Sequence, residues 1–212
     1  MPTKQRLRGR CHHGDRWTQM LTENPYVAGM LATHSAGMLQ KIRTSPACWR
    51  QNKEDFPMLD ITDYLASIAP ERRAATEQLH HVITAALQPG FVAQLTGKTL
   101  EYVVPLSIYP QGYHTTAHTP LPYFAIINQK SHLGVYAFCM YPASPLHERF
   151  AADYRAATGR NVDMGAACIR LKRMDNIPYA LFGALAGHYS IDDWIATYEA
   201  SLPATVRAKR GL

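Results

Sequence analysis

The stretch from residue 102 to residue 141 constrains the fold more than any other part of the chain. Two β-type runs, 123–128 and 133–141, are separated by only four residues, and this spacing predicts an antiparallel hairpin that turns at 129–132. In the second run both alternating sets of side chains are apolar, as is typical of a central strand covered on both faces. The sequence therefore predicts a sheet built around this hairpin.

Helical and strand-like segments flank the hairpin in a definite order. Apolar residues at spacings of three and four over 71–87, after Pro70, predict an amphipathic helix. Further segments are predicted as follows: a short helix at 62–68 with Thr62 as its N-cap, strands at 91–95, 99–104 and 168–171, and helices from Ser144 to Gly159, from Pro178 to about 187, and from Ser190 with Asp193 in a capping box. Helices followed by strands, and then one strand among helices, predict a single α+β domain with a largely antiparallel sheet packed against helices.

Residues 1–57 differ from the rest of the chain in charge and pattern. They hold nine Lys or Arg against four acidic residues, a net charge of +5 out of the +6 of the whole chain. They show no sustained hydrophobic period, and proline and glycine interrupt them often. Two interpretations stay open: a disordered basic extension, or mis-annotated translation upstream of Met58. We expect the folded domain at 58–212, where a charge of +1 gives little attraction to nucleic acid.

The cysteines and the hydropathy pattern exclude several classes of protein. The four cysteines form no C-x-x-C pair and no regular spacing, which argues against a disulfide framework or a zinc site and favours a reducing, cytoplasmic setting. Cys139 lies in an apolar run and is predicted to be a buried structural cysteine. No apolar run approaches 18 residues, so we expect neither a membrane span nor a membrane partner.

Five segments in order carry a resemblance to a known family: TDYLASIAPERR, YVVPLSIYPQGYH, PLPYFAIINQKSHLGVYAFCMY, NVDMGAACIRLKRMDNIP and WIATYEASL. Over about residues 59–202 the chain resembles the YdhG-like family, bacterial domains of unknown function. The resemblance implies an α+β domain likened in architecture to frataxin, and some members have been proposed as iron chaperones. The chain departs from the family at Lys98, where a methionine is usual, and at Ala166, where a lysine is common. The second departure puts any ligand contact made by that lysine in doubt.

The proline-rich loop after the strand at 99–104 is the main candidate for a binding role, because long loops without regular structure are uncommon unless they are functional or disordered. We predict that the aromatic residues of this loop and the hairpin turn at 129–132 converge on one ligand-binding surface. The predicted ligand-binding residues are Tyr109, Tyr113, His114, Lys130 and His132. His114 and His118 are four apart, but the prolines around them oppose a helix and no third ligand is near, so no metal site is predicted.

These observations favour a non-catalytic module that binds a small molecule or a protein, with no cofactor and no catalytic residue. One alternative is a frataxin-like iron carrier, which would need clustered carboxylates. The first two predicted helices supply only Asp60, Asp63, Glu71 and Glu77, with Arg72 and Arg73 beside them. The other alternative is an enzyme that uses Cys168 or a histidine, although no paired nucleophile and base is evident.

Overall fold

The computed structural model describes residues 60–140 and 144–212, and the predictions for residues 1–57 lie outside this part. The strands are β1 (Val92–Thr96), β2 (Thr99–Val104), β3 (Leu121–Asn128), β4 (Leu133–Ala137) and β5 (Cys168–Leu171). The helices are α1 (Thr62–Ala66), α2 (Pro70–Ala86), α3 (Pro145–Thr158), α4 (Tyr179–Ala186), α5 (Ile191–Ser201) and α6 (Ala204–Arg210). The predicted α+β class with an antiparallel sheet is confirmed.

The five strands form one sheet in the order β1-β2-β3-β4-β5, with every neighbouring pair antiparallel. Side chains alternate between the two faces, as in any strand. One face supplies buried side chains such as Leu100, Ile126 and Val135 to the core, which they share with side chains from the helices. On the other face most positions are half-buried, among them Glu101 and Arg170. The sheet thus has a core face and a second face, here called the polar face.

The helix boundaries follow the signals in the sequence. Pro70 begins α2 at a position where its missing N–H is not needed. The hydroxyl of Ser144 accepts the N–H of His147 at 3.2 Å, and Gly159 ends α3 in the left-handed conformation with a φ of 72°. At the start of α5 the hydroxyl of Ser190 accepts the N–H of Asp193 at 3.1 Å. These predicted caps are confirmed.

Three details differ from the sequence-based predictions. Thr62 is not the cap of α1, because the Asp60 carboxylate accepts the Thr62 N–H at 2.9 Å. Strand β4 ends at Ala137, before the predicted end at residue 141, although it lies between β3 and β5 and so has the predicted central position. Helix α6 was not predicted, although Pro203 before it and Gly211 after it are typical boundary signals.

Helix α2 carries a polar seam on its buried side, formed by Thr76, His80 and Thr84 at spacings of four. The Nδ1 atom of His80 lies 3.0 Å from the Tyr102 hydroxyl and 3.4 Å from the Thr84 hydroxyl. The Asn128 amide donates to the Thr76 hydroxyl at 3.4 Å. Burial raises the pKa of Tyr102, which keeps its phenol protonated as a hydrogen-bonding group. The seam ties α2 to β2 and β3 with directional bonds.

Of the helices in the part of the chain that the structure describes, none is both long enough and apolar enough to cross a membrane.

Candidate binding site

The loop between β2 and β3 packs on the two C-terminal helices, and Tyr109 is its main anchor. The side chain is buried, and its ring meets the edge of the Tyr198 ring on α5 at 6.2 Å and 90°. Burial, together with the neighbouring Glu199, raises the pKa of Tyr109 to about 12. Arg210 on α6 donates to the Tyr109 hydroxyl at 3.4 Å. Tyr109 therefore has intramolecular partners on both helices.

The exposed His114 and the half-buried Tyr113 also contact Tyr198. The Tyr198 oxygen accepts the backbone N–H of His114 at 2.7 Å, and the same oxygen lies 2.9 Å from Nδ1 of the His114 ring. The Tyr113 N–H donates to the carbonyl of Thr119 at 2.8 Å and closes the loop on itself. The half-buried Tyr113 ring lies 6.1 Å from that of Tyr198. These contacts give the loop residues a structural role.

Arg210 and Gly112 complete the attachment of this loop. The Arg210 guanidinium donates to the carbonyls of Gly112 at 3.0 Å and of Gln111 at 3.2 Å. Gly112 has a φ of +57°, and a Cβ atom at this position would overlap the carbonyl oxygen of Thr119. Only glycine fits there without strain. Gly112 and Arg210 thus fix the path of the loop together with the contacts of Tyr109 and His114.

The hairpin turn that carries Lys130 and His132 is held from the helical side by Arg72 of α2. The Arg72 guanidinium donates to the carbonyl of Gln129, and at 3.3 Å to those of Lys130 and His132. The turn is therefore fixed through its main chain. Lys130 is exposed and His132 is half-buried. Although Arg72 lies beside acidic residues in the sequence, its guanidinium binds the carbonyls of the turn.

The structure places the predicted site residues in two groups at opposite ends of β3. Tyr109, Tyr113 and His114 precede this strand, whereas Lys130 and His132 follow it. Eight residues of β-strand span about 25 Å, so the five residues do not converge on one surface. The ligand-binding role of each group stays a prediction.

A second set of residues joins the turn on the polar face of the sheet. In the pairing of β4 with β5, Tyr136 lies opposite Cys168 and Gly134 lies opposite Arg170. Because every second side chain shares a face, His132 and Lys172 extend these two rows beyond the paired residues. We call this set the basic corner. Its members are Lys130, His132, Tyr136, Arg170 and Lys172.

Two cations of the basic corner, Arg170 and Lys172, contact the carboxylate of Asp163. Nη1 of Arg170 lies 2.9 Å from Oδ1 of Asp163, and Nζ of Lys172 lies 2.8 Å from Oδ2. Hydrogen bonds from Lys172 and Arg170 hold the pKa of Asp163 below its usual value. The corner contains three cations, Lys130, Arg170 and Lys172, against the one carboxylate of Asp163, which leaves it with a formal net positive charge.

Tyr136 supplies the aromatic part of the corner. Its hydroxyl accepts a hydrogen bond from the Gln129 amide at 3.1 Å, and a hydrogen bond with Cys168 raises its pKa. The ring lies close to Gly134, where a Cβ atom would be 3.2 Å from Cε2 of Tyr136 and 3.7 Å from Nε2 of His132. Both rings thus approach the backbone of Gly134, where a larger residue would crowd the Tyr136 ring.

Sequence reasoning missed most of this corner. The alternation of Cys168, Arg170 and Lys172 after an apolar segment was visible in the sequence, and it indicated one strand face with two cations. Its position beside the hairpin turn depends on the pairing of β5 with β4, and β5 is separated from β4 by the whole of α3. No local pattern in the sequence carries that information.

Cysteines and acidic residues were the other candidates for chemistry. Cys139 is buried, as predicted, and burial raises the pKa of its thiol, which disfavours the reactive thiolate. Cys168 is half-buried beside Tyr136. Within residues 60–140 and 144–212, no group of three or more His, Cys, Asp or Glu side chains is placed to hold a metal ion.

Comparison with known proteins gives one structural likeness. Neither the models of protein families nor the curated proteins include a match to this chain. The structure is similar to the crystal structure of YdhG, a protein of the DUF1801 family from Bacillus subtilis, with a TM-score of 0.41 and 17% identity. The likeness covers 66% of this chain and 91% of that one.

Proposed function

We propose that this domain is a non-catalytic binding module, and that it holds a negatively charged ligand at the basic corner. The observation that carries the proposal is the register of β4 against β5. It brings Arg170 and Lys172 alongside the hairpin turn with Lys130 and His132. Cations and an imidazole on one sheet face are suited to hydrogen bonding with an anion.

The way in which the turn is fixed supports this assignment. Because Arg72 holds the main-chain carbonyls from the helical side, the turn needs no side-chain bond from Lys130 to keep its shape. A site built on a rigid turn and two paired strands loses little conformational entropy when a ligand binds. The exposed Lys130 side chain is then available to a ligand.

Nuclear magnetic resonance titration of the full chain tests the proposal. Succinate and inorganic phosphate, each added at constant ionic strength, are expected to shift the amide signals of Gly134, Tyr136 and Arg170. Putrescine, a small dication, serves as the control and is expected to leave those signals in place. The amide signals of the loop between β2 and β3 report on ligand binding by the other predicted residues, Tyr109, Tyr113 and His114.

Two variants make the test specific to the corner. Arg170→Gln is expected to weaken anion binding about tenfold, because an exposed guanidinium makes charge-assisted hydrogen bonds. Arg149→Gln on α3 removes a different arginine, also beside a carboxylate (Asp153, at 3.7 Å), and is expected to leave binding unchanged. Equal losses in both variants, or anion-induced shifts confined to the loop, would contradict the proposal.

A further inference from the structure

Asp163 lies at the outer edge of the basic corner, on the side of β5 away from β4, and its carboxylate accepts the hydrogen bonds that an external anion would accept from the two β5 cations. Its two carboxylate oxygens are divided between two cations, with Oδ1 at 2.9 Å from Arg170 and Oδ2 at 2.8 Å from Lys172. It reaches this place because its own segment runs back along β5: the Arg170 N–H donates to the Asp163 carbonyl at 2.8 Å, and Met164 bridges to Ile169. The carboxylate is thus positioned by its backbone.

We propose that Asp163 is an internal competitor for the basic corner, and that the ligand is a small oxyanion, a carboxylate or a phosphate, that displaces it. The inference rests on the proposed function and adds the class of ligand. The inference depends on one property that a carboxylate and a phosphate share. Each has a pair of negatively charged oxygens that can accept hydrogen bonds from Arg170 and Lys172 together.

The exposure of the three side chains makes the exchange feasible. Their side chains are 39% (Arg170), 41% (Asp163) and 63% (Lys172) exposed. Ion pairs this exposed contribute little to stability, because water screens them and ordering two long side chains costs entropy. Replacing one carboxylate by another at the same cations therefore costs the protein little.

The neighbouring pair of Arg173 and Asp175 offers a matched control. Arg173 holds both carboxylate oxygens of Asp175, at 3.1 Å and 2.7 Å, directly after β5. Substitution of Asp175 by Asn changes the net charge of the protein as much as substitution of Asp163. It leaves the carboxylate of the basic corner in place, so a difference between the two variants reports on the corner itself.

The test measures the affinity of the full-length protein for succinate and for inorganic phosphate by amide-signal titration at constant ionic strength. Asp163→Asn is expected to tighten binding about threefold to tenfold, because a competing surface ion pair is removed. Asp163→Ala is a second variant, since asparagine can keep one hydrogen bond to Arg170. Asp175→Asn is expected to bind as the unmodified protein does. Adding Arg170→Gln to Asp163→Asn is expected to reverse the gain.

The outcomes separate this inference from the proposed function. Tighter binding of either anion in both Asp163 variants supports the inference, and the anion with the larger gain identifies the ligand class. If Arg170→Gln weakens binding but the Asp163 variants bind as before, the binding site stands and the competition is refuted. Equal gains in Asp163→Asn and Asp175→Asn would reflect net charge alone and also refute it. If no variant binds either anion, both proposals fail.

Discussion

The loop between β2 and β3 and the turn between β3 and β4 are both bound by an arginine through main-chain carbonyls, but they differ in what their side chains do. In the loop, Arg210 binds two carbonyls, and the side chains of Tyr109 and His114 contact Tyr198 as well. In the turn, Arg72 binds main-chain carbonyls. A segment whose side chains also contact the helices uses them for structure, whereas a segment bound through its carbonyls leaves them for other contacts. This difference explains why we place the candidate site at the turn.

The largest effect is expected from Gly112→Ala in the loop. The new side chain would be forced into a positive φ and against the Thr119 carbonyl, and we expect a loss of about 2–4 kcal/mol in the free energy of unfolding. Gly97→Ala is the control, since it has a similar φ of +59° with no atom within 4 Å of the new Cβ. Urea unfolding measures both variants. Equal losses would show that the Thr119 contact does not hold the loop.

The next effect concerns the helix that fixes the loop. Tyr198→Phe removes the oxygen that accepts the His114 N–H, and we expect a loss of about 1–2 kcal/mol in the free energy of unfolding. Hydrogen exchange should accelerate at His114 and stay unchanged in the turn at 129–132. Tyr179→Phe, on α4 and half-buried, is the control for loss of a tyrosine hydroxyl. Unchanged hydrogen exchange at His114 would show that the Tyr198 hydroxyl does not anchor the loop.

Arg72→Gln should disturb the turn and leave the loop intact. We expect a loss of about 1 kcal/mol in the free energy of unfolding, because several carbonyls lose a charged donor that is only partly buried. Amide exchange at 129–132 should accelerate. Arg73→Gln is the neighbouring control, since Arg73 donates to the carbonyls of Ile68 and Ala66 at 3.1 Å each. If both variants alter the turn equally, Arg72 has no specific role there.

The smallest effect is the pH dependence of the basic corner. The folded pKa of Asp163 lies below its unfolded value, so its contribution to stability is present at neutral pH and is lost as the pH falls through that lowered value. Asp163→Asn should therefore unfold at slightly lower urea than the unmodified protein at pH 7. The difference between the two should shrink as the pH falls and the carboxylate becomes protonated. A difference that grows on acidification would contradict the ion-pair geometry.

Features set by neighbours in the sequence could be predicted, and features set by distant pairing could not. Ser144, Gly159 and Ser190 act within one helical turn, so their roles follow from local chemistry. The hairpin turn and Cys139 were predicted in the same way. The partners of Arg72 lie almost sixty residues away along the chain, and the pairing of Gly134 with Arg170 spans an entire helix. Such long-range contacts decide where a site forms.

The polar seam of α2 fixes the position of that helix along its own axis. Apolar surfaces permit sliding, because hydrophobic contact has no direction. A shift of the helix by one turn, about 5.4 Å, would place a threonine opposite Tyr102. It would also break the contact between the His80 ring and the Tyr102 hydroxyl. The displaced arrangement would bury polar groups without partners, at a cost of about 1–3 kcal/mol each. The polar seam thus restricts helix α2 to a single register against the sheet.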